Sequence, residues 1–106
     1  MSLAGRRALI TGSTSGIGAG IAEELCIQGC EVVLHGLGDP EQIEALRKRL
    51  EVEYDVKVEF VEGDLSTRDG VAQMISAACA GGPIDILVNN AGVQHVSPVE
   101  DFPPEK

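Results

Sequence analysis

Positive charge is scarce in this chain. Its 106 residues hold 8 Lys and Arg against 17 Asp and Glu, a formal net charge of −9 at pH 7. A phosphate backbone needs a basic face, so the balance argues against nucleic acid as a partner. Long apolar runs are missing as well. No stretch approaches the roughly 20 residues that cross a bilayer, so no membrane partner is expected. Met1 to Arg7 carries neither the apolar core of a secretory signal nor a long Arg- and Ser-rich lead, which makes a cytoplasmic location the default expectation. The cysteines are few: Cys26, Cys30 and Cys79. An odd number with no C-x-x-C pair fits neither a disulfide framework nor a zinc site, and no metal is expected. Cys26 and Cys79 fall at apolar helix positions and read as core-facing small hydrophobes, while Cys30 lies at the turn into a strand. No internal repeat or low-complexity tract interrupts the chain.

What is present is an ordinary globular composition, 43% apolar and 24% charged, at a length that suits one domain. The most informative stretch is Thr11-Gly12-Ser13-Thr14-Ser15-Gly16-Ile17-Gly18. It follows the apolar run Ala8-Leu9-Ile10 and precedes an amphipathic one. A strand that turns through glycines into a helix is the geometry that cradles a pyrophosphate on backbone N–H groups, helped by the helix dipole. Gly12 permits the sharp turn, and Gly16 and Gly18 let the backbone approach a ligand and the helix pack close to the sheet. The spacing is G-x-x-x-G-x-G, not the common G-x-G-x-x-G. Taken alone, these eight residues also fit a strand-to-helix loop with no ligand. The acidic balance does not forbid a dinucleotide, whose phosphates are held by N–H groups.

Strand and helix signals alternate along the chain. Strands are expected over Arg7–Thr11, Glu31–His35, Lys57–Glu62 and Ile84–Asn89. A first helix over Ile17–Gln28 would pack Ile17, Ile21, Leu25 and Ile27, with Gly29 as its stop. A second runs to about Tyr54, with Asp39 as N-cap, Pro40 at the first helical position and Ile43, Leu46 and Leu50 as its stripe. Glu41, Glu44, Glu51 and Glu53 read as a solvated face. A third helix, capped by Ser66 or Thr67, runs to about Ala80 with Val71, Met74 and Ile75 inward. Phe102 to Glu105 resembles the opening of a fourth.

Strands separated by single helices require a parallel sheet with right-handed crossovers. The expected fold is α/β, a doubly wound parallel sheet (Rossmann) in the order 3-2-1-4. The ligand crevice then lies at the carboxyl ends of strands one and four, where the order reverses. Gly12–Gly18 and Asn89–Gly92 both fall at that crevice, which is a stronger argument than either loop alone. The fourth strand is apolar almost throughout, as a strand buried on both faces should be. Residues 1–106 are therefore expected to be the N-terminal cofactor-binding part of a single larger domain, truncated after strand four.

These residues resemble the short-chain dehydrogenase/reductase family. Thr11 to Gly18 is similar to its TGxxxGxG cofactor motif, Asp64-Leu65 to the acidic position that contacts adenine, and Asn89-Asn90-Ala91-Gly92 to its NNAG motif, which stabilises the sheet and lines the cofactor. A narrower likeness is to the bacterial D-3-hydroxybutyrate dehydrogenases, carried by Gly12 to Gly18, by Leu34-His35-Gly36-Leu37-Gly38-Asp39 and above all by Asn89-Asn90-Ala91-Gly92-Val93-Gln94-His95-Val96-Ser97-Pro98-Val99-Glu100-Asp101-Phe102-Pro103. The resemblance implies that Gly12, Ser13, Thr14, Ser15, Gly16, Ile17, Gly18, Gly36, Leu37, Asp64, Leu65, Asn90, Ala91 and Gly92 surround the cofactor. It also implies that Gln94 holds a substrate carboxylate. A side-chain amide can donate to a carboxylate without a neutralising charge; on spacing alone, Gln94 is better read as a loop residue capping local backbone, and it is the resemblance that favours the carboxylate role. His95 reads as structural.

For the cofactor, the end of strand two shows neither a close acid for the ribose nor an Arg for a 2′-phosphate, and the glycine loop carries no cation. NAD is expected over NADP. The family's catalytic Ser and Tyr-x-x-x-Lys are not in these residues. The single tyrosine, Tyr54, has Val58 four positions on and reads as a packing residue. The expected activity of the complete protein is interconversion of D-3-hydroxybutyrate and acetoacetate, with a small hydroxy or keto acid as substrate. This part is expected to be inactive alone, and the resemblance implies a homotetramer. The alternatives are a related reductase, such as a 3-oxoacyl-carrier-protein reductase or a sugar dehydrogenase, or a non-catalytic nucleotide-binding module.

Overall fold

A computed structural model describes residues 3–14, 16–36 and 38–90. Its elements alternate: β1 (Arg7–Ile10), α1 (Gly16–Ile27), β2 (Glu31–His35), α2 (Pro40–Tyr54), β3 (Val58–Val61), α3 (Arg68–Ala80) and β4 (Ile86–Val88). The four strands form one parallel sheet in the order β3-β2-β1-β4, the expected doubly wound arrangement. Leu9 sits in register with Val33 on one side and Leu87 on the other.

The pleat divides the core in two. Ala8, Ile10, Val32, Leu34 and Val58 face α1 and α2, where they bury Ala22, Cys26 and Leu50. Leu9, Val33 and Val61 face α3 and bury Met74 and Ala78. Covered on both faces, β1 is buried along its whole length. The helix starts follow the capping chemistry. Glu41 N donates to Asp39 Oδ1 at 3.0 Å with Pro40 at the first position, and Gly70 N donates to Thr67 Oγ1 at 2.9 Å, so Thr67 rather than Ser66 is the cap of α3.

Several expected inward residues point outward. On α1 the buried row is Gly18, Ala22 and Cys26, with Ile21 and Leu25 packed beside it, while Ile17 and Ile27 are exposed. On α3 the row is Gly70, Met74 and Ala78; Val71 is half-buried, and Ile75 and Cys79 are exposed. Both rows run i, i+4, i+8, and apart from Met74 they consist of small residues, which let a helix lie close to the sheet. Cys79, one position from Ala78, is turned about 100° away from that row. β4 is shorter than expected, and Leu87 is exposed, because no described element covers that face of the strand. Cys26 and Cys30 are buried, and burial pushes both thiols up, Cys26 to about 11, so neither is primed as a nucleophile.

Two side-chain clusters secure the sheet away from its carboxyl rim. Along the outer margin of β3, Val58 N donates to Glu51 Oε2 and Val58 O accepts from Arg47 Nη1, so α2 satisfies both outward-facing groups of that residue. At the amino rim, the Arg7 guanidinium is buried. Its Nη2 donates to Glu59 Oε1 at 2.5 Å and to Ala78 O at 2.8 Å, and its Nη1 lies 3.5 Å from Glu31 Oε1. The bond from Arg7 holds the Glu59 carboxyl below its ordinary value of 4.5, against the opposing effect of burial. A carboxyl depressed in the fold stabilises it above the unfolded value and loses that contribution as the pH falls through the folded one. Glu59→Gln is therefore expected to flatten the acid limb of the stability curve below pH 4.5. Denaturant melts at neutral pH and near pH 3 measure this; equal acid sensitivity of the variant and the parent would count against the pairing.

Candidate functional site

The loops that follow the four strands meet at the carboxyl rim. Thr11, the first residue beyond β1, donates its N–H to Val88 O at 3.0 Å and its hydroxyl to Asn89 Oδ1 at 3.2 Å, which fastens the ends of β1 and β4 together. Gly12 then turns the chain at φ +62°, a conformation that favours glycine. Its carbonyl accepts from the buried Asn90 Nδ2 at 3.0 Å. Gly18 lies directly against this junction. A Cβ there would fall within the van der Waals shell of Gly12 O and 2.6 Å from Asn90 Nδ2. The glycine loop and the loop after β4, joined in the sequence reading only by topology, are thus in contact.

Ser13 extends the strand pairing beyond β1. It is fully buried, its N–H donates to His35 O, and its hydroxyl accepts from His35 N at 2.9 Å. Thr14 packs against Gly36, where a Cβ would overlap the threonine side chain. With the Gly12 and Ser13 amides bonded within the protein, an anion is left the N–H groups at the start of α1, at Gly16, Ile17 and Gly18, which have no partner within the helix. The first turn of α1 carries no acidic residue, whereas Glu41 and Asp69 occupy the first turns of α2 and α3. Among the described helices, this start alone has no acidic side chain in its first turn, which suits an anionic ligand.

Asp64 is exposed on the loop after β3, four elements from the glycine loop in sequence but at the same rim. Its Oδ1 accepts from Ser66 Oγ at 2.6 Å and from Ser66 N at 2.9 Å, and these bonds hold its carboxyl below the usual range. Leu65 is half-buried against the α3 side of the core. Ser15, Leu37, Ala91, Gly92 and Gln94 lie outside the described residues. Tyr54 packs against the α1–α2 side of the core, and its hydroxyl donates to Glu23 at 2.5 Å. That bond pushes its pKa up to about 12, the opposite of what a proton-abstracting tyrosine needs. Among the described residues, no three His, Cys, Asp or Glu side chains converge as a metal site, and no helix is long and apolar enough to cross a membrane.

One participant was not singled out from the sequence. His35, at the carboxyl end of β2, is buried, with Nδ1 3.2 Å from Gly12 N and Nε2 2.9 Å from Gly63 O. A histidine closing an otherwise apolar strand beside a glycine was the available signal.

Comparison with known proteins agrees with this geometry. The family profile for short chain dehydrogenases matches residues 6–106. The chain is 43% identical over 105 residues to a D-beta-hydroxybutyrate dehydrogenase of Cupriavidus necator, covering 98% of this chain and 40% of that protein. It is 40% identical over 102 residues to a gluconate 5-dehydrogenase of Gluconobacter oxydans, covering 95% of this chain and 39% of that one. Among solved structures, it is similar to an L-sorbose reductase of Gluconobacter frateurii complexed with NADPH and L-sorbose, at TM-score 0.78 and 36% identity over 87% of this chain and 35% of that one. A 3-oxoacyl (acyl-carrier-protein) reductase of Agrobacterium tumefaciens with NADP bound superposes at TM-score 0.71 and 41% identity over 81% of this chain and 33% of the other. The chain thus spans about 40% of the length of the curated relatives it matches.

Proposed function

The chain belongs to the short-chain dehydrogenase family, and from that premise we propose that it forms the dinucleotide-binding part of an NAD-dependent oxidoreductase that interconverts D-3-hydroxybutyrate and acetoacetate. The observation that carries this reading is the corner where Gly12, Gly18 and Asn90 meet beside an α1 start free of acidic side chains. Gly12 to Gly18 hold the diphosphate through the first N–H groups of α1, Gly36 and Leu37 border the adenosine ribose, Asp64 and Leu65 border the adenine, and Asn90, Ala91 and Gly92 line the nicotinamide half. Gln94 donates its amide to the substrate carboxylate. When bound, NAD supplies the hydride acceptor; this chain's residues bind and orient it. These 106 residues hold no Tyr-x-x-x-Lys pair, so alone they bind dinucleotide without turnover. The small hydroxy or keto acid substrate, the cytoplasmic setting and the homotetramer of the whole enzyme belong to the same reading.

NAD is favoured by charge. No Lys or Arg occurs between Arg7 and Arg47, a span that includes the glycine loop and the end of β2. A 2′-phosphate there would leave water without a cation to receive it. Asp39, the nearest acid, is committed as the cap of α2. The full chain is expected to bind NAD about tenfold more tightly than NADP in titration calorimetry; tighter NADP binding would overturn the assignment. A second reading, a sugar or 3-oxoacyl reductase using NADPH, draws support from the relatives solved with that cofactor. A substrate panel with D-3-hydroxybutyrate, gluconate and a 3-oxoacyl thioester separates the two.

A further inference from the structure

We propose that His35 is a positioning residue for the diphosphate loop, acting through the backbone of Gly12. The proposal rests on the dinucleotide reading above and concerns a residue that reading leaves without a role. Gly12 N donates to His35 Nδ1 at 3.2 Å, so Nδ1 carries the lone pair and the ring proton sits on Nε2. From there it is donated to Gly63 O at 2.9 Å. The ring therefore bridges the loop after β1 and the loop after β3, with β2 between them. Its backbone adds two further ties to the same loop, accepting from Ser13 N and donating to Ser13 Oγ.

The consequence lies in how Gly12 is held. Its N–H is fixed from the β2 side by His35, and its carbonyl is fixed from the β4 side by Asn90. Glycine has the widest choice of backbone conformations, and Gly12, at positive φ, is anchored through both its N–H and its carbonyl. The loop then enters α1 in one direction, with the first N–H groups already aimed at the anion. A preorganised loop loses less conformational freedom on binding, and the gain falls on ligands that contact the N–H groups. The ring does not touch the ligand; its effect passes through Gly12.

The geometry separates two substitutions of similar polarity. Asn places an acceptor at the δ position, where it can take the Gly12 N–H, whereas Gln places its amide at the ε position toward Gly63. In the full chain, His35→Leu is expected to weaken ADP and NAD binding about tenfold while leaving adenosine, which lacks the diphosphate, within about twofold. His35→Asn is expected to recover most of the ADP affinity, and His35→Gln to recover less. Calorimetry for ADP and NAD, with ligand-observed NMR for adenosine, reads all three. Equal losses for ADP and adenosine, or His35→Asn no better than His35→Gln, would overturn the role. If His35→Leu fails to fold, the Asn and Gln comparison still decides it. A parent protein that binds neither ADP nor NAD would instead remove the dinucleotide reading itself, and the proposal with it.

Discussion

Replacing Gly18 by alanine is expected to destabilise the fold by about 3 kcal/mol and to abolish dinucleotide binding. In an exposed helix the same change stabilises by about 0.5–1 kcal/mol, because alanine is the better helix former. The sign reverses at Gly18 because of what the new methyl meets. Gly12 O lies inside its contact distance, Asn90 Nδ2 is 2.6 Å away and the Gly12 carbonyl carbon 2.8 Å. Two of these atoms are backbone and cannot rotate aside. The helix must lift from the junction, which breaks the Asn90–Gly12 bond and moves the N–H groups that face the anion. Gly20, two positions along the same helix, has nothing within 4 Å of an added Cβ and serves as the control. Gly20→Ala is expected to melt at or above the parent temperature. A Gly18→Ala protein as stable as Gly20→Ala, with nucleotide affinity intact, would refute the close packing at this corner.

Removing the buried cation at the other rim acts on stability alone. Arg7→Met is expected to cost about 3 kcal/mol, since truncating one partner of a buried pair strands the other. Glu59 would lose its guanidinium partner, and Ala78 O, near the end of α3, would lose its donor. Methionine replaces much of the buried stem, so the loss reports mainly on the charged head. The cost stays near the lower end of the range because Glu59 keeps Lys57 Nζ at 3.2 Å and partial access to water, at 31% exposure. The double variant Arg7→Met with Glu59→Gln should lose less than the sum of the single changes, as interacting partners do. Denaturant melts measure the cycle; strict additivity would show that the pair is not coupled. Nucleotide affinity should survive under conditions where the variant is folded, because Arg7 stands at the amino end of β1 and the glycine corner at the carboxyl end.

Much of this was legible from residue order, and for specific reasons. The bounds of β2 and α2 follow from chemistry that acts locally: Glu31–His35 is a short apolar run, and Asp39-Pro40 is a cap followed by a residue preset for the first helical turn. The strand order follows from alternation and crossover handedness. The rim that joins the glycine loop to Asn90 was expected from topology, and its contacts are now specified. Less legible was the choice of helical face. Ile17, Ile27 and Ile75 are apolar by type, yet the sheet selects Gly18, Ala22, Ala78 and their neighbours by size. That preference depends on the distance between layers, which no local pattern carries. His35 escaped notice because its importance lies in joining Gly12 to Gly63, residues 51 positions apart brought together only by the sheet.

The pairing of Arg47 and Glu51 with the backbone of Val58 takes one donor and one acceptor out of the free edge of β3. A foreign strand approaching beside β3 meets a donor and an acceptor already engaged by the overlying helix. At the opposite flank β4 is the last strand among the described residues, with Leu87 bare. A strand added beside β4 would lie against the sheet whose carboxyl rim carries the glycine corner.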